Sequence, residues 1–340
     1  MKKIIYILPT FGIRGTEIIY EQVNRLAEKG YDLIITSLDE AKPVTNFPLK
    51  VNSSKLEDTR KEFDKADAII AYNPVCAFYI NDIETKANKY CLLLDDEHEY
   101  YTKEYFSKIG KAEGVKLDIQ YEKQKRFIDA SYKLPFKYIV PNEKLAKKLI
   151  AKGMKVILAP IGVNLDLFYP EQFIPDLGVI RFVTEVNEFP WQNSELINRA
   201  LTELRAFELW TFGNKPNIKT DKHWTNPDNE GLRKLLSSSN VLINMNQTDG
   251  TSETLLQAMA CGCVVVTTMT DGASMFCKDG KNCIIIKGKT PEELSGNLKT
   301  RLEELMNNKD LLELLITGGL ETAKNFKWNI DNLEKALRRK

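Results

Sequence analysis

The stretch TDGTSETLLQAMACGCVVVTT, Thr248 to Thr268, decides how the whole chain is read. An Asp-Gly-Thr-Ser turn opens a short amphipathic helix, Gly262 ends it as a C′ residue, and a buried valine strand follows at once. A helix start carries partial positive charge and unpaired N–H groups, so Gly250, Thr251 and Ser252 can offer amides to an anion. Asp249 can accept hydrogen bonds from hydroxyls, and Gln257, two turns into the helix, can face the same groove. The same residues also read as an N-cap and a solvated glutamine on a packed helix.

Turn, helix and buried strand in that order are part of an alternating α/β pattern, and the rest of the chain extends it. The second half contains VIRFVTEV (179–186), a helix from Ser194, AFELWTFG (206–213), a helix near 229–238, NVLINMN (240–246) and CIIIK (283–287). The first half contains KKIIYIL (2–8), YDLIITSL (31–38), DAIIAY (67–72), YCLLL (90–94) and KYIV (137–140). Between its first two strands Ile18, Ile19, Val23, Leu26 and Ala27 recur at helical spacing, with Gly30 as C′. Between its last two, a Tyr-, Lys- and Glu-rich region suggests helices over a cleft. LAPIGVNLDLFYPEQ (158–172), with two prolines, reads as a linker. The tail is helical, with Gly318 and Gly319 expected to break it.

At 340 residues and 43% hydrophobic content the chain exceeds one ordinary core, so two Rossmann-like units are expected. Lys and Arg total 48 against 47 Asp and Glu, a net charge of +1 that supplies no field for drawing in nucleic acid. The six cysteines have no CxxC spacing, and reduced, cytoplasmic thiols are the expectation. The apolar run after Lys3 is too short for a signal sequence, and no stretch approaches the roughly 20 apolar residues of a bilayer span.

In open α/β sheets ligands sit beyond the carboxyl ends of strands, so the loops there are searched for chemistry. Gly12 and Gly15, after the first strand, let backbone amides approach a phosphate, and Arg14 adds a full charge. The alternative is a tight turn without a ligand. A dinucleotide fold would want GxGxxG, which is absent, although Asp39 imitates its ribose acid and keeps a dehydrogenase in view. Asp95-Asp96-Glu97-His98-Glu99 could supply a base or hold a metal, or be a solvated acidic turn; His223 reads as structural. Two histidines and dispersed cysteines give no zinc spacing, and no G-x-S-x-G or Walker A sequence occurs.

Taken in order, these loops resemble those of the GT-B glycosyltransferases, specifically family 4, the retaining nucleotide-sugar enzymes. Pro9, Gly12, Gly15, Thr16 and Glu17 resemble the family's Gly-rich acceptor-domain loop, and KGYDLIITS its next strand. Gly162-Val163-Asn164-Leu165-Asp166-Leu167-Phe168-Tyr169-Pro170 is similar to G-V-D-x-x-x-F-x-P. DGTSETLLQAMACGCVVV is similar to E-G-x-x-x-x-x-L-E-A-M-A-x-G-x-P-V-V, and Asp279-Gly280-Lys281-Asn282-Cys283 to D-G-x-N-G.

The resemblance implies a GT-B fold of two Rossmann-like domains facing each other across a cleft: 1–160 on the acceptor side, 161–325 for the nucleotide-sugar donor, and a helix in 326–340 returning to the first domain. It implies transfer of a hexose or pentose from a nucleotide-diphosphate sugar to a hydroxyl, with no metal and no further cofactor. Asp249 would contact the donor sugar, Gly250, Thr251 and Ser252 the sugar and phosphate, Gln257 the ribose, and Gly213 with Lys215 the nucleotide pocket. Asp96 and His98 would stand near the transferring sugar as the catalytic pair. Replacing Asp249 by Ala would then remove transfer with little change in melting temperature.

Two departures stand out. Gln257 replaces the ribose carboxylate, and FVTEVNEFPWQNSEL (182–196) has Glu185 and Glu188 where the family has an Arg and a Lys against the diphosphate. A degenerate member serving as partner of an active transferase is therefore kept as a second reading. The acceptor stays open between a glycan, a lipid-linked hydroxyl with peripheral membrane contact, and hydroxylated DNA bases, the last without support from charge.

Overall fold

The computed structural model describes residues 2–12, 15–39, 42–43, 49–171 and 179–338. Their strands form two sheets, parallel at every pairing. The first contains β1 (Lys3–Leu8), β2 (Asp32–Ser37), β3 (Ala68–Tyr72), β4 (Asn88–Leu92), β5 (Lys137–Val140) and β6 (Lys155–Leu158), in the order β2-β1-β3-β4-β5-β6. The second contains β7 (Ile180–Glu185), β8 (Phe207–Gly213), β9 (Lys222–Thr225), β10 (Val241–Asn244), β11 (Val264–Thr267) and β12 (Ile284–Ile285), in the order β12-β11-β10-β7-β8-β9.

The chain divides into two compact units. One comprises Met1–Phe106, Ala112–Ile161 and Asn329–Lys340; the other comprises Gly162–Trp328 with Ser107–Lys111. The order in which strands are added reverses once in each sheet, between β1 and β3 in the first unit and between β7 and β10 in the second. Such reversals open a crevice at the carboxyl ends of the two strands, because their crossover helices leave on opposite faces.

The apolar runs are continuous because both sheet faces are covered. In the second unit Val183, Leu242 and Val265 enter one core, while their neighbours Phe182, Val241, Ile243, Val264 and Val266 enter the other. All six cysteines are buried and free. Burial is the main reason the Cys261 thiol is pushed up to about 12. No helix among the described residues is long and apolar enough to cross a membrane.

The last helix, Asp331–Arg338, belongs to the first unit. Leu333 and Leu337 are buried, and the Lys29 ammonium reaches Asp331 at 3.0 Å and Glu334 at 2.8 Å.

Several sequence expectations are corrected. Two strands extend the series beyond the runs read from sequence: β6, half-exposed and meeting the 158–172 stretch only at Leu158, and β9, an edge strand of four residues, KHWT, too short for a clear period. The strand read at 90–94 starts earlier, at Asn88, and ends at Leu92, so Leu93 and Leu94 open the next loop. Gly318 and Gly319 do not break the tail; they lie inside the helix Lys309–Asn325, and the boundary is at Asn308, whose side chain caps Leu311 N at 3.0 Å. A Cβ on Gly318 would fall 2.1 Å from the Lys281 carbonyl oxygen, so this glycine permits close approach of the Lys278–Cys283 loop.

Candidate active site

In the second unit the loops after β7 and β10 meet at the sheet reversal. Asn187 organises the first of them. Its N–H donates to Gln192 Oε1 at 2.9 Å and its Nδ2 to Glu185 Oε1 at 2.9 Å. Its Oδ1 accepts from Asn214 N at 3.0 Å, and its carbonyl accepts from Asn217 Nδ2 at 3.1 Å. Gly213 ends β8 with φ 128°, and a Cβ there would lie 2.2 Å from the Val186 carbonyl oxygen. Only glycine permits both the backbone angle and the approach. Lys215, two residues on, is exposed.

Main-chain bonds join the two loops: Gln247 N donates to Trp191 O at 2.8 Å, and Asn193 Nδ2 to Met245 O at 2.8 Å. Between them the Phe189 and Trp191 rings stack in near-parallel planes, 7° apart with centroids 4.6 Å apart. Sequence reading passed over this pair, although two aromatics flanking a proline in a loop are a signal of their own.

The Asp249 loop is tied to itself. Asp249 Oδ1 accepts from Ser252 N at 2.7 Å, from Thr251 N at 3.1 Å and from the Thr251 hydroxyl at 3.3 Å. These bonds hold Ser252, 1% exposed, at φ 49°, a left-handed conformation that costs a non-glycine residue energy. The next loop supports it: Gly272 N donates to Asp249 O at 2.8 Å, and the Ser252 and Thr270 hydroxyls bond at 3.0 Å. The amides of Thr251 and Ser252 thus serve the turn, and a ligand at this end would meet the first turn of the helix Glu253–Ala260, whose N-cap Ser252 makes no side-chain cap bond. Gln257 lies in that helix, 8% exposed, and no hydrogen bond to its side chain is found among the described residues. Its amide atoms still reach solvent, so the side chain stays open to a ligand hydroxyl.

The electrostatics differ from a simple phosphate cradle. The exposed Glu188 follows β7, and the nearest basic residue before it, Arg181, is buried, paired with Glu208 at 2.9 Å and packed over Trp210 at 3.7 Å. Gly250, between the two partners of the turn, is buried.

In the first unit the corresponding reversal brings the loop after β1 beside the ends of β3 and β4. Gly12 is exposed at φ 86° and Gly15 starts the helix Thr16–Glu28 at φ 82°. A Cβ on Gly15 would fall 2.3 Å from Leu94 Cδ1 and 2.9 Å from the Tyr72 hydroxyl, so packing within the unit alone calls for glycine. Arg14 lies outside the described residues. Burial raises the carboxyl pKa of Glu17 in the first turn.

Asp96 and His98 are neighbours with separate partners. Asp96 caps the helix Glu97–Tyr100 by accepting from His98 N at 3.3 Å, and it also accepts from the Tyr132 hydroxyl at 3.2 Å. His98 Nε2 lies 3.0 Å from Asp129 Oδ1, and its ring meets Tyr132 edge-on at 5.7 Å. Burial, then the nearby Asp96 carboxylate, drives the Tyr132 hydroxyl pKa upward. Among the described residues no three His, Cys, Asp or Glu side chains converge as a metal site. Asp96→Ala is expected to cost about 1 kcal/mol through the lost cap. Denaturant unfolding measures it, and an unchanged midpoint would deny the cap any weight.

Residues 179–304, most of the second unit, match the family described as glycosyl transferases group 1. An uncharacterised glycosyltransferase of Methanocaldococcus jannaschii is 23% identical over 214 residues, covering 57% of this chain and 58% of its own length, so the match spans little more than half of that relative. Among solved structures, sucrose-phosphate synthase from Thermosynechococcus elongatus superposes with a TM-score of 0.71 at 14% identity, covering 99% of this chain and 98% of its own. HepE of Anabaena, solved in complex with UDP-glucose, gives a TM-score of 0.71 at 12% identity with the same coverages, 99% and 98%. The chain has the GT-B glycosyltransferase fold, and the group 1 family match falls in its second unit.

Proposed function

We propose that this protein transfers a sugar from a nucleoside-diphosphate sugar to an acceptor hydroxyl, with retention of configuration, in glycan synthesis in the cytoplasm and without a bound metal. The carrying observation is the Asp249 turn at the sheet reversal, followed by a helix start and the Gln257 side chain, for which no hydrogen bond is found among the described residues. The group 1 match over the same residues supports it, as does the UDP-glucose held by the similarly folded HepE.

In this reading the acceptor oxygen bonds to the anomeric carbon as the bond to the diphosphate breaks, and the hydroxyl proton passes to the departing diphosphate. Negative charge grows on that diphosphate, and the amides at the start of Glu253–Ala260 stabilise it through the helix dipole. Gln257 bonds a ribose hydroxyl, and Lys215 supplies a mobile cation. Incubation with UDP- and GDP-sugars and mixed glycan acceptors, read by mass spectrometry, tests transfer; no product with any pair would count against it. Gln257→Ala is expected to weaken nucleotide binding about fivefold to tenfold, one hydrogen bond's share, at unchanged melting temperature.

A second reading, a binding protein partnered with an active transferase, is favoured by the acidic β7 loop and by the Asp249 carboxylate committed to its own turn. Calorimetry separates the two. Nucleotide-sugar heat with product supports transfer, whereas no heat with any nucleotide sugar supports the partner, which lacks the diphosphate cations and the ribose carboxylate.

A further inference from the structure

We propose that Phe189 and Trp191 form a stacking platform for a neutral pyranose ring, a specificity element that rests on the sugar-transfer reading above. The ring planes are 7° from parallel and stacked with centroids 4.6 Å apart, and Phe189, at 37% exposure, keeps apolar surface in solvent. An exposed flat aromatic surface loses hydration when a flat, weakly polar face covers it, and the C–H face of a pyranose is such a surface.

The platform is rigid. Pro190 separates the two rings, Trp191 O accepts from Gln247 N at 2.8 Å, and Asn193 beyond it is held at φ 54° with its Nδ2 donating to Met245 O at 2.8 Å. Binding therefore orders little that is not already ordered, which favours affinity. The same bonds fix the rings to the loop that leads into Asp249, so a sugar on the platform lies beside the proposed donor site.

Charge selects the ligand. Glu188 is exposed next to Phe189, and 182–198 contains no lysine or arginine. A phosphate on these rings would meet the Glu188 carboxylate, with no lysine or arginine from this segment to offset it. The hydroxyls of a neutral sugar would instead find an acceptor in Glu188 beside an apolar face, the pairing of groups that carbohydrate rings need. This also gives the β7 loop a positive role where basic residues are missing.

The pyranose could be the donor's or the acceptor's, and the experiment has an arm for each. Wild type and Phe189→Ala, with Phe189→Tyr as conservative variant, are titrated with UDP, UDP-glucose and a neutral maltooligosaccharide, followed by Trp fluorescence and calorimetry. Phe189→Ala is expected to leave UDP binding unchanged and to weaken one sugar ligand about threefold to tenfold, with Phe189→Tyr restoring it. Weakened UDP-glucose assigns the donor sugar; weakened oligosaccharide assigns the acceptor. Equal binding of both sugars by wild type and Phe189→Ala, or an equal loss of UDP itself, overturns the platform. A chain that binds oligosaccharide through Phe189 but no nucleotide would defeat the transfer reading and leave the platform standing.

Discussion

Gly213→Ala is expected to lower stability by about 3 to 5 kcal/mol and the melting temperature by roughly 10 °C, the largest effect of any single methyl group considered for this chain. Two costs add. At φ 128° an L-residue is strained by its own backbone, and the added Cβ would lie 2.2 Å from the Val186 carbonyl oxygen and 3.0 Å from Asn187 Oδ1. The obstructing atom is main chain at the end of β7, so a side-chain rotation cannot relieve it. Displacing it also breaks the bonds Asn187 makes to Gln192, Asn214 and Asn217, which set the site loops. Nucleotide binding should therefore fall with stability. Gly280→Ala is the control, since Gly280 has φ 70° with nothing within 4 Å of its would-be Cβ. It should cost only about 1 kcal/mol of backbone strain. Equal melting temperatures for the two variants would reject the close-approach argument.

Asp249→Ala is expected to reduce sugar transfer at least about a hundredfold and also to lower the melting temperature by roughly 3 to 6 °C. The sequence alone suggests a loss of transfer with little thermal change. Structure adds the second effect, because the carboxylate accepts the N–H groups of Thr251 and Ser252 and holds Ser252 in its left-handed conformation. Asp249→Asn separates the roles. Its amide oxygen can accept the same two N–H groups, so the turn and melting temperature should persist while the charge is lost. If Asp249→Asn transfers sugar like wild type, the charge has no part in the chemistry; if Asp249→Ala melts like wild type, the turn bonds carry no weight. Product formation and scanning calorimetry on the same samples give both answers.

These two residues mark how far a linear reading reaches. The alternation of valine- and isoleucine-rich runs with amphipathic helices was enough for two parallel α/β units, because a strand buried on both faces must be apolar at successive positions and a covering helix must be apolar on one side. Gly30 and Gly262 read as helix ends and have φ 84° and 78°, since the left-handed C′ position selects glycine locally. The motif around Asp249 was legible for the same reason: its turn, helix and strand are consecutive in the chain.

Distant contacts were not legible. Gly318 and Gly319 look like a helix break in sequence, yet they continue a helix, and the space beside Gly318 is taken by the Lys281 carbonyl, far earlier in the chain. That the Thr251 and Ser252 amides turn to Asp249, that Asp96 pairs with Tyr132 and His98 with Asp129, and that Phe189 stacks on Trp191 all depend on where loops and helices pack. Local periodicity and backbone preference thus determined the elements and their alternation. Which polar groups are used up inside the fold, and which remain for a ligand, was decided only by tertiary structure, because a hydrogen bond or a steric contact is set by distance in space and leaves no period along the chain.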